Sequence, residues 1–310
     1  MVDSKLTVLM PTYNCAHFLE ESINSILQQT FTDFEFIIVD DGSTDNTKEV
    51  VSQFLSDGRI KYVYKENSGT GNTLNRGLQL ATTAYVVLMD ADDISHPDRL
   101  EKLYHYMEQN PKVVACGSSI SYFINNLDEE RTYTCRLPIN NSAIVQGLLN
   151  MAHTFCHASF IFRTATAKKI GGFDLPGIGE DLDFTLKLSK EGELSNMDET
   201  LYHVRMNPNS VTSTKYIECI LNYKFTINMY RNKMNLSELD TFLDQQSRSL
   251  LSKTLLQLDN QSLKLYRKGV KHYIYNNNVK YYFFAVLASL VSPNRLWKRI
   301  LRNFQIATQP

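Results

Sequence analysis

Short apolar runs alternate with amphipathic, helix-like spacing along the first 120 residues of the chain. Strands and helices in this order predict βαβ units around a mainly parallel sheet that is flanked by helices. The expected fold class is therefore α/β. The runs predicted to form strands are Leu6–Met10, Phe34–Val39, Ile60–Tyr64, Tyr85–Met89, Val113–Ser119 and Ala158–Phe162.

The pattern changes near residue 215, where long helical stretches with almost no Gly or Pro begin. We therefore predict two parts, residues 1–214 and a helical C-terminal region of residues 215–310. At 100° per residue, the apolar side chains of residues 295–304 fall on one arc and the four cations on the other. This pattern is typical of a cationic amphipathic helix at a membrane surface. The alternative is a terminal helix that packs on its own domain with a solvated basic face.

Charge is distributed unevenly between these two parts. The net charge is only −1, but residues 215–310 hold 15 Lys and Arg against five Asp and Glu, which gives +10. Residues 1–214 hold 17 and 28, which gives −11. The basic part favours an anionic membrane surface as partner. Nucleic acid is not expected, because no recognition motif or aromatic-interleaved basic groove accompanies the charge.

Composition also bears on location. Hydrophobic residues make up 43% and charged residues 21% of the chain, which is typical of a folded protein. The first residues lack the apolar segment of a signal peptide. The five cysteines are widely spaced, without a C-x-x-C pair, which favours a reducing compartment. We expect a cytoplasmic protein, peripheral on the inner face of the plasma membrane.

Polar clusters follow three of the predicted strands: Thr12–Asn14, Asp40–Asp41 and Asp90–Asp93. In open α/β sheets, ligands bind at the carboxyl ends of the strands. Asp90 and Asp92 alternate, so on an extended segment both carboxylates would point the same way and share one hard divalent cation with phosphate oxygens. The competing interpretation is an ordinary acidic turn.

With these motifs, the sequence resembles family 2 glycosyltransferases of the GT-A fold, of the bacterial surface-polysaccharide type. GT-A is a Rossmann-like fold with a mainly parallel sheet flanked by helices. The resemblance covers residues 5–210 in order. It rests on Val8–Asn14, Ile38–Asp45, Asn75–Gly77, Leu88–Asp93, His157–Arg163, Gly171–Phe173 and Gly179–Asp181.

The resemblance implies a nucleotide-sugar site. Tyr13 would stack on a nucleobase, with uracil expected, and Pro11 would shape that pocket. Asp41, with Asp40, would accept from a base N–H or a ribose hydroxyl. Asp90 and Asp92 would hold the ribose and a diphosphate-bound Mn²⁺ or Mg²⁺. The remaining implied nucleotide-sugar residues are Arg76 and Ala91.

The resemblance also implies an inverting transfer in which Asp181 is the general base. The competing interpretation is that Glu180 and Asp181 merely favour a helix N-terminus through the helix dipole. His157 and Glu180 are candidates for the acceptor pocket, although His157 could equally be a packing residue. The acceptor would be a hydroxyl of a glycan or lipid-linked molecule, in polysaccharide or lipopolysaccharide biosynthesis.

The signature Gln-x-x-Arg-Trp of processive synthases is absent from the sequence, which favours transfer of one sugar per acceptor. Many family members carry a histidine after the helix of the base, where this chain has Arg205–Ser210. A third protein ligand to the metal is therefore in doubt, and His203 or Arg205 could contact phosphate instead.

Two other functions compete with this interpretation. Gly69–Leu74 is a partial dinucleotide fingerprint whose third glycine is replaced by Leu74, so a nicotinamide enzyme is disfavoured. A non-catalytic sugar-nucleotide or carbohydrate-binding protein is the alternative, and such a protein has no use for a base at Asp181.

Overall fold

The computed structural model of the protein describes residues 4–128, 132–175, 179–207, 214–248, 250–275 and 278–292. Contacts divide the chain into two compact units. The first holds the residues up to Ser121 together with Thr134–Leu148 and His153–Arg205. The second holds Tyr122–Tyr133, Leu149–Ala152 and the residues from Met206 onward. The predicted membrane helix of residues 295–304 lies outside the described residues.

The first unit contains a nine-stranded sheet with the order β3-β2-β1-β4-β8-β6-β9-β5, and β7 pairs with β6. The strands β1 to β4 run parallel, whereas β4–β8, β8–β6 and β9–β5 are antiparallel. The bounds are β1 Leu6–Thr12, β2 Phe34–Asp40, β3 Ile60–Tyr64, β4 Tyr85–Leu88, β5 Ile94–Ser95, β6 Val113–Phe123, β7 Tyr133–Cys135, β8 Ile161–Arg163 and β9 Glu193–Arg205.

In the described part of this unit, seven helices connect or flank the strands. They are α1 Ala16–Leu27, α2 Thr47–Ser52, α3 Thr70–Leu80, α4 Arg99–Gln109, α5 Asn141–Leu149, α6 Thr164–Lys169 and α7 Glu180–Glu191. The central strands β1 and β2 are apolar at successive positions because both of their faces are covered. Gly77 of α3 lies directly against Leu9 of β1, where a Cβ atom would come within 2.0 Å of Leu9 Cδ1.

An aromatic cluster underlies α7 and fixes the position of its first turn. The rings of Phe173 and Phe184 stack with centroids 3.9 Å apart, and Phe162 meets Phe184 edge to face at 5.1 Å. Phe160, Phe162, Phe173 and Phe184 are fully or almost fully buried. The N-terminus of α7 is therefore anchored from below by a packed core.

The second unit is helical, as the sequence pattern predicted. Its helices are α8 Tyr216–Tyr230, α9 Leu239–Arg248, α10 Leu250–Ile274 and α11 Asn278–Val291. A capping box between Asn235 and Glu238 opens the turn that leads into α9. Among the described residues, no helix is both long and apolar enough to cross a bilayer.

The structure differs from the predicted elements at several points. The strand expected at Ala158–Phe162 is confined to Ile161–Arg163, because His157–Ser159 forms a single 3-10 turn. The predicted run Val113–Ser119 extends to Phe123. The strands β5, β7 and β9 and the helices α5 and α6 had no prediction. The three strands lie in the half of the sheet where antiparallel pairing replaces the βαβ pattern.

Candidate active site

The carboxyl ends of β1 and β2 meet at one edge of the sheet. In the parallel register, Thr12 lies opposite Asp40. The backbone N–H of Asp41 donates to the carbonyl of Thr12 at 2.9 Å. Two of the three polar clusters expected at this edge are therefore in direct contact.

The loop after β1 is held so that the ring of Tyr13 remains half exposed. Asn14 adopts a left-handed backbone conformation with φ of 51°. Its side-chain oxygen accepts from the N–H of Thr44 at 2.8 Å, and its own N–H donates to Ser43 Oγ at 2.9 Å. Tyr13 is 50% exposed, which leaves aromatic surface accessible for stacking.

Asp40 is a fully buried carboxylate that hydrogen bonds within the protein. It accepts from the N–H of Ser43 at 2.8 Å and from the hydroxyl of Tyr62 at 2.6 Å. Burial and the neighbouring carboxylate raise the pKa of Tyr62, so its phenol stays a donor. In this structure Asp40 shapes the loop that follows β2.

Asp41 is also buried, and it joins the end of β2 to the start of α3. It accepts from the N–H groups of Ser68 and Gly69, each at 2.9 Å, and from Lys65 Nζ. Burial alone would raise the pKa of Asp41, but the hydrogen bonds from Lys65, Ser68 and Thr73 outweigh it and lower that pKa. Hence the N–H of Gly69, the first residue of the partial dinucleotide fingerprint, binds a carboxylate of the protein itself.

Asp90–Asp93 form a turn at the end of β4. β4 ends at Leu88, so the extended geometry expected for Asp90 and Asp92 does not occur. Ser22 Oγ of α1 lies 2.9 Å from the carbonyl of Ala91 and 2.7 Å from that of Asp93, which holds the turn in place. Ala91 and Asp93 are buried, whereas Asp90 and Asp92 are half-buried.

Strong negative charge collects at this turn. Burial, then the charges of Asp92 and Asp181, raise the pKa of Asp90 to about 7, with Arg99 opposing. Burial and the same turn's carboxylates raise the pKa of Asp93 well above its ordinary value. Burial and the charges of Asp92, Asp90 and Asp45 also raise the pKa of Cys15 to about 11, so the Tyr13 loop lies within electrostatic reach of this turn.

A buried cation supports the turn from behind. The Arg99 side chain is fully buried, and its guanidinium donates to the carbonyls of Leu88 at 2.6 Å and Ala158 at 3.1 Å. The same group lies 4.5 Å from the ring centroid of Tyr202, whose hydroxyl accepts from the N–H of Asp90 at 3.0 Å.

Arg205 at the end of β9 ties the turn to α1. Its N–H donates to Asp93 Oδ1 at 2.8 Å, and its Nε donates to the carbonyl of Asp92 at 2.7 Å. Its Nη2 pairs with Glu21 at 2.5 Å. The side chain of His203, by contrast, contacts Ser121, with Nδ1 2.7 Å from Oγ. In the sheet, His203 of β9 lies opposite Ile94 of β5.

Glu180 and Asp181 form the first turn of α7. Gly179 precedes them with φ of 111°, a left-handed conformation that favours glycine. Glu180 is 8% exposed and accepts from the N–H of Gly179 at 2.8 Å. Burial, then Asp181, raises the pKa of Glu180 to about 7, with a smaller contribution from Asp90. Asp181 thus influences both Glu180 and the turn at Asp90, which lie on separate elements.

His157 packs among aromatic rings beside these acids. Its ring meets Phe160 at 5.2 Å and Phe173 at 5.5 Å, both edge to face. Burial lowers the pKa of His157, and the charge of Asp181 opposes that shift. Within the part of the chain that the structure describes, the buried Nε2 has no hydrogen-bond partner. The ring therefore packs, yet keeps one unsatisfied nitrogen.

The carboxylates of Asp90 and Asp92 are a suitable donor set for a hard divalent cation. Such ions take one or two protein carboxylates and complete their shell with phosphate oxygens and water. The raised pKa of Asp90 shows that negative charge there is poorly compensated, which a cation would relieve. Across the described ranges, no group of three or more His, Cys, Asp and Glu side chains forms a metal site.

The predicted residues around α3 have a different environment. Asn75 binds the backbone of Phe173 twice, each time at 2.8 Å, and so joins α3 to the segment before α7. Arg76 is exposed on α3, and among the described residues it makes no hydrogen bond or ion pair.

The sequence analysis did not identify Lys65, Ser22 and Arg99 as residues that organise this edge. The partner of each one is distant in the chain. Arg99 stands in the predicted helix start after Pro97, but its burial depends on the carbonyls of Leu88 and Ala158, which other elements supply.

The chain matches known proteins along most of its length. Residues 7–171 match the family described as Glycosyl transferase family 2. Putative glycosyltransferase EpsE of Bacillus subtilis is 33% identical over 208 residues, which covers 65% of this chain and 73% of EpsE.

Solved structures are similar in fold. The structure of S. aureus TarS 1-349 in complex with UDP aligns with a TM-score of 0.58 at 20% identity, over 91% of this chain and 90% of that one. Mannosyltransferase PcManGT from Pyrobaculum calidifontis in complex with GDP-Man and Mn2+ aligns with a TM-score of 0.58 at 18% identity, over 92% and 87%.

Proposed function

Because the chain belongs to glycosyl transferase family 2, we propose that this glycosyltransferase moves one sugar from a UDP-sugar to a hydroxyl of a glycan or lipid-linked acceptor, with inversion. Its fold is GT-A. The observation that carries the proposal is that the charges of Asp92 and Asp181, which come from two separate elements, both raise the pKa of Asp90.

The donor would lie along the sheet edge, with its base on the exposed ring of Tyr13 beside Pro11. Asp41 would face a base N–H, with Lys65 displaced or turned aside, while Asp40 holds the loop. Arg76 and Ala91 complete the proposed set, although the exposed Arg76 would need to reach the donor from α3. The bound UDP of TarS and the bound GDP-Man of PcManGT support a nucleotide-sugar donor. The choice of uracil rests on the resemblance and on carboxylate chemistry.

Asp90 and Asp92 would hold Mn²⁺ or Mg²⁺ against the diphosphate. The cation supplies charge neutralisation for the departing nucleoside diphosphate. The Mn2+ in the structure of PcManGT supports a divalent ion for this fold. Arg99, Ser22 and Arg205 keep the turn in one conformation, so these residues position the two carboxylates.

Asp181 would take the proton of the acceptor hydroxyl as its oxygen attacks the anomeric carbon. The bond between that carbon and the diphosphate oxygen breaks on the opposite side, and the configuration inverts. A carboxylate in reach of the acceptor hydroxyl can accept its proton as the new bond forms. Asp181 lies close enough to Asp90 and Glu180 for its charge to raise the pKa of both. Glu180 and His157 would line the acceptor pocket.

The experiment compares Asp181→Asn and Asp92→Ala with Asp198→Asn, an exposed acid that pairs with Arg136. Thermal shift with UDP-sugars, with and without Mn²⁺, reports donor binding. Release of UDP in the presence of an acceptor reports transfer. We expect Asp181→Asn to lose transfer by about 10²-fold or more and to keep the Mn²⁺-dependent thermal shift. Asp92→Ala should lose both, and Asp198→Asn neither.

Full transfer by Asp181→Asn would refute the role of base. Donor binding without transfer by the wild-type protein, across an acceptor panel, would favour the non-catalytic binding protein instead. Chelation should remove transfer and added Mn²⁺ should restore it. NMR of the product's anomeric proton tests inversion.

The proposed setting is bacterial surface polysaccharide or lipopolysaccharide assembly, at the inner face of the plasma membrane. Its support is the family resemblance together with the charge of +10 after residue 214. The division at residues 214 and 215 stays a proposal, as does the amphipathic helix of residues 295–304.

A further inference from the structure

One face of α11 is apolar and exposed to solvent. Val279, Tyr282, Phe283, Val286 and Leu290 are 81%, 67%, 58%, 57% and 71% exposed. Their spacing of three, four, seven and eleven residues from Val279 places them on one side of the helix. Single exposed apolar residues are ordinary, but five on one helix face form a contiguous patch that indicates a binding surface.

The opposite face of α11 packs closely on α10. A Cβ atom at Gly269 would approach both Phe284 Cβ and the carbonyl of Tyr281 to 3.2 Å. Ser262 Oγ donates to the carbonyl of Ala288 at 2.8 Å, and Ser292 Oγ donates to Asp259 Oδ1 at 2.5 Å. These contacts fix α11 against α10 as an antiparallel hairpin and direct the apolar face outward.

The hairpin is strongly cationic. Between residues 250 and 292 the sequence holds six Lys and Arg and one acid, Asp259, which is bonded to Ser292. Lys264, Lys268 and Lys271 are exposed and lie on one side of α10 at helical spacing. Lys268 Nζ lies 4.7 Å from the ring centroid of Phe284, so this basic row borders α11.

We propose that this face of α11 lies in the boundary between headgroups and acyl chains of an anionic lipid bilayer. An apolar helix face with aromatic residues, bordered by lysines, matches such a boundary in both polarity and charge. The 14 residues of α11 are about 21 Å long, which is too short to cross the hydrocarbon core. The helix therefore lies along the surface.

A second copy of the chain is a poorer occupant of the same face. A symmetric contact between two such hairpins would bring both basic rows together, with a single acid on each side to offset them. The inference rests on the proposed function in one respect: membrane binding through α11 would bring the enzyme close to a lipid-linked acceptor. The membrane-binding surface proposed here lies on α11 and does not include residues 295–304.

The test uses the full chain and sedimentation with phosphatidylcholine vesicles, with and without about one-third phosphatidylglycerol. The apolar variant is Phe283→Ser with Val286→Ser. Its matched control is Leu55→Ser with Leu236→Ser, two residues that are 46% and 47% exposed outside the hairpin. The charge variant is Lys264→Gln with Lys271→Gln, and its control is Lys48→Gln with Lys61→Gln.

We expect the wild-type protein to sediment with the anionic vesicles. The apolar variant should lower the partition constant at least about tenfold, while its control stays within about twofold. The charge variant should lose binding to anionic vesicles and show a weaker salt dependence. All variants should keep their UDP-dependent thermal shift, a readout that fails separately if the proposed donor site is wrong.

Unchanged sedimentation of the apolar variant would overturn the inference. It would also be overturned if deletion of residues 295–310 removed all binding while the apolar variant bound as wild type. Light scattering supplies the remaining outcome: a dimer that dissociates in the apolar variant, without any vesicle binding by the wild type, would assign the face to a second copy.

Discussion

Arg99→Met should destabilise the protein more than any ordinary surface change. Arg99 is fully buried behind the turn that carries Asp90 and Asp92. Methionine keeps most of the length of the side chain but removes the charge and all donors. The substitution therefore isolates the electrostatic and hydrogen-bonding role of the guanidinium from its volume.

The expected loss of stability follows from the groups that the guanidinium contacts in the folded protein. The carbonyls of Leu88 and Ala158 would each lose a buried donor, at about 1–3 kcal/mol apiece. Asp93, a buried carboxyl, would also lose a nearby compensating charge. Removing one partner of a buried charge cluster costs about 3–5 kcal/mol. The losses at the two carbonyls and at Asp93 overlap, so we expect Arg99→Met to lower the free energy of unfolding by about 3–5 kcal/mol in all.

The pH dependence of this cost has a definite sign in the metal-free protein. The pKa of Asp90 is about 7 in the folded state against an ordinary value of 3.8, so the folded state holds an extra proton between these values. Stability that is present at acid pH is therefore lost as the pH rises toward 7. Arg99 lowers that pKa, so its removal raises the pKa further and deepens the loss. The cost of Arg99→Met should be larger at about pH 8 than at about pH 5.

Urea denaturation followed by circular dichroism, in chelator at both pH values, measures this directly. Arg163→Met is the matched control, because Arg163 also donates to carbonyls, those of Val113, Met107 and Asn110, and lies over the ring of Tyr85. It should cost about 1–3 kcal/mol without the pH trend. A cost for Arg99→Met below about 1 kcal/mol, or one that grows toward acid pH, would refute the assigned role of this cation.

Two further predictions concern packing and the acid at the start of α7. Gly77→Ala should cost about 1–3 kcal/mol in urea denaturation, because its Cβ would overlap the fully buried Leu9, whereas Gly58→Ala, with open space around it, should change stability by less than about 0.5 kcal/mol. Equal effects would contradict the contact. Glu180→Gln should stabilise the metal-free protein by about 1–3 kcal/mol at about pH 8 and little at about pH 5. The pKa of Glu180 in the folded protein is about 7, so its carboxyl group is forced to ionise in the folded state only at the higher pH. Thermal melts at both pH values test this, and a gain at acid pH would contradict it.

The parallel half of the sheet was predictable because its strands are buried on both faces. Leu6–Met10 and Phe34–Val39 are apolar at almost every position, and each is followed by a polar loop, so their ends could be placed to within two residues. The antiparallel half carried weaker signals. The buried residues of β9 are interrupted by the exposed Asp198 and Glu199, and β5 has only two residues, so neither strand shows a long apolar run in the sequence.

For the site, the sequence predicted which residue types gather at the sheet edge but not what holds them. The motif order brought Asp90, Asp92 and Asp181 into one hypothesis, and the raised pKa of Asp90, to which Asp92 and Asp181 both contribute, agrees with that proximity. The extended geometry assumed for Asp90 and Asp92 was wrong, because the turn is fixed by Ser22 from a distant helix. Contacts between residues so far apart in the chain depend on the tertiary fold, so they cannot be predicted from a local sequence pattern.

The acids of this edge differ in what they contribute to the folded state. The carboxylate of Asp41 has a lowered pKa because the protein supplies its donors, so this charge stabilises the fold without any ligand. Asp90 and Glu180 have raised pKa values because burial and neighbouring acids oppose their ionisation. A charge such as that of Asp41 has a structural role, because it organises the loops that donate to it. The charges of Asp90 and Glu180 instead lower the stability of the folded protein at neutral pH. Such a loss of stability is expected at a site that binds a cation and a reacting hydroxyl. By this criterion, the metal and acceptor ends of the proposed site have the stronger physical support, and the base-recognising role of Asp41 depends on the displacement of Lys65.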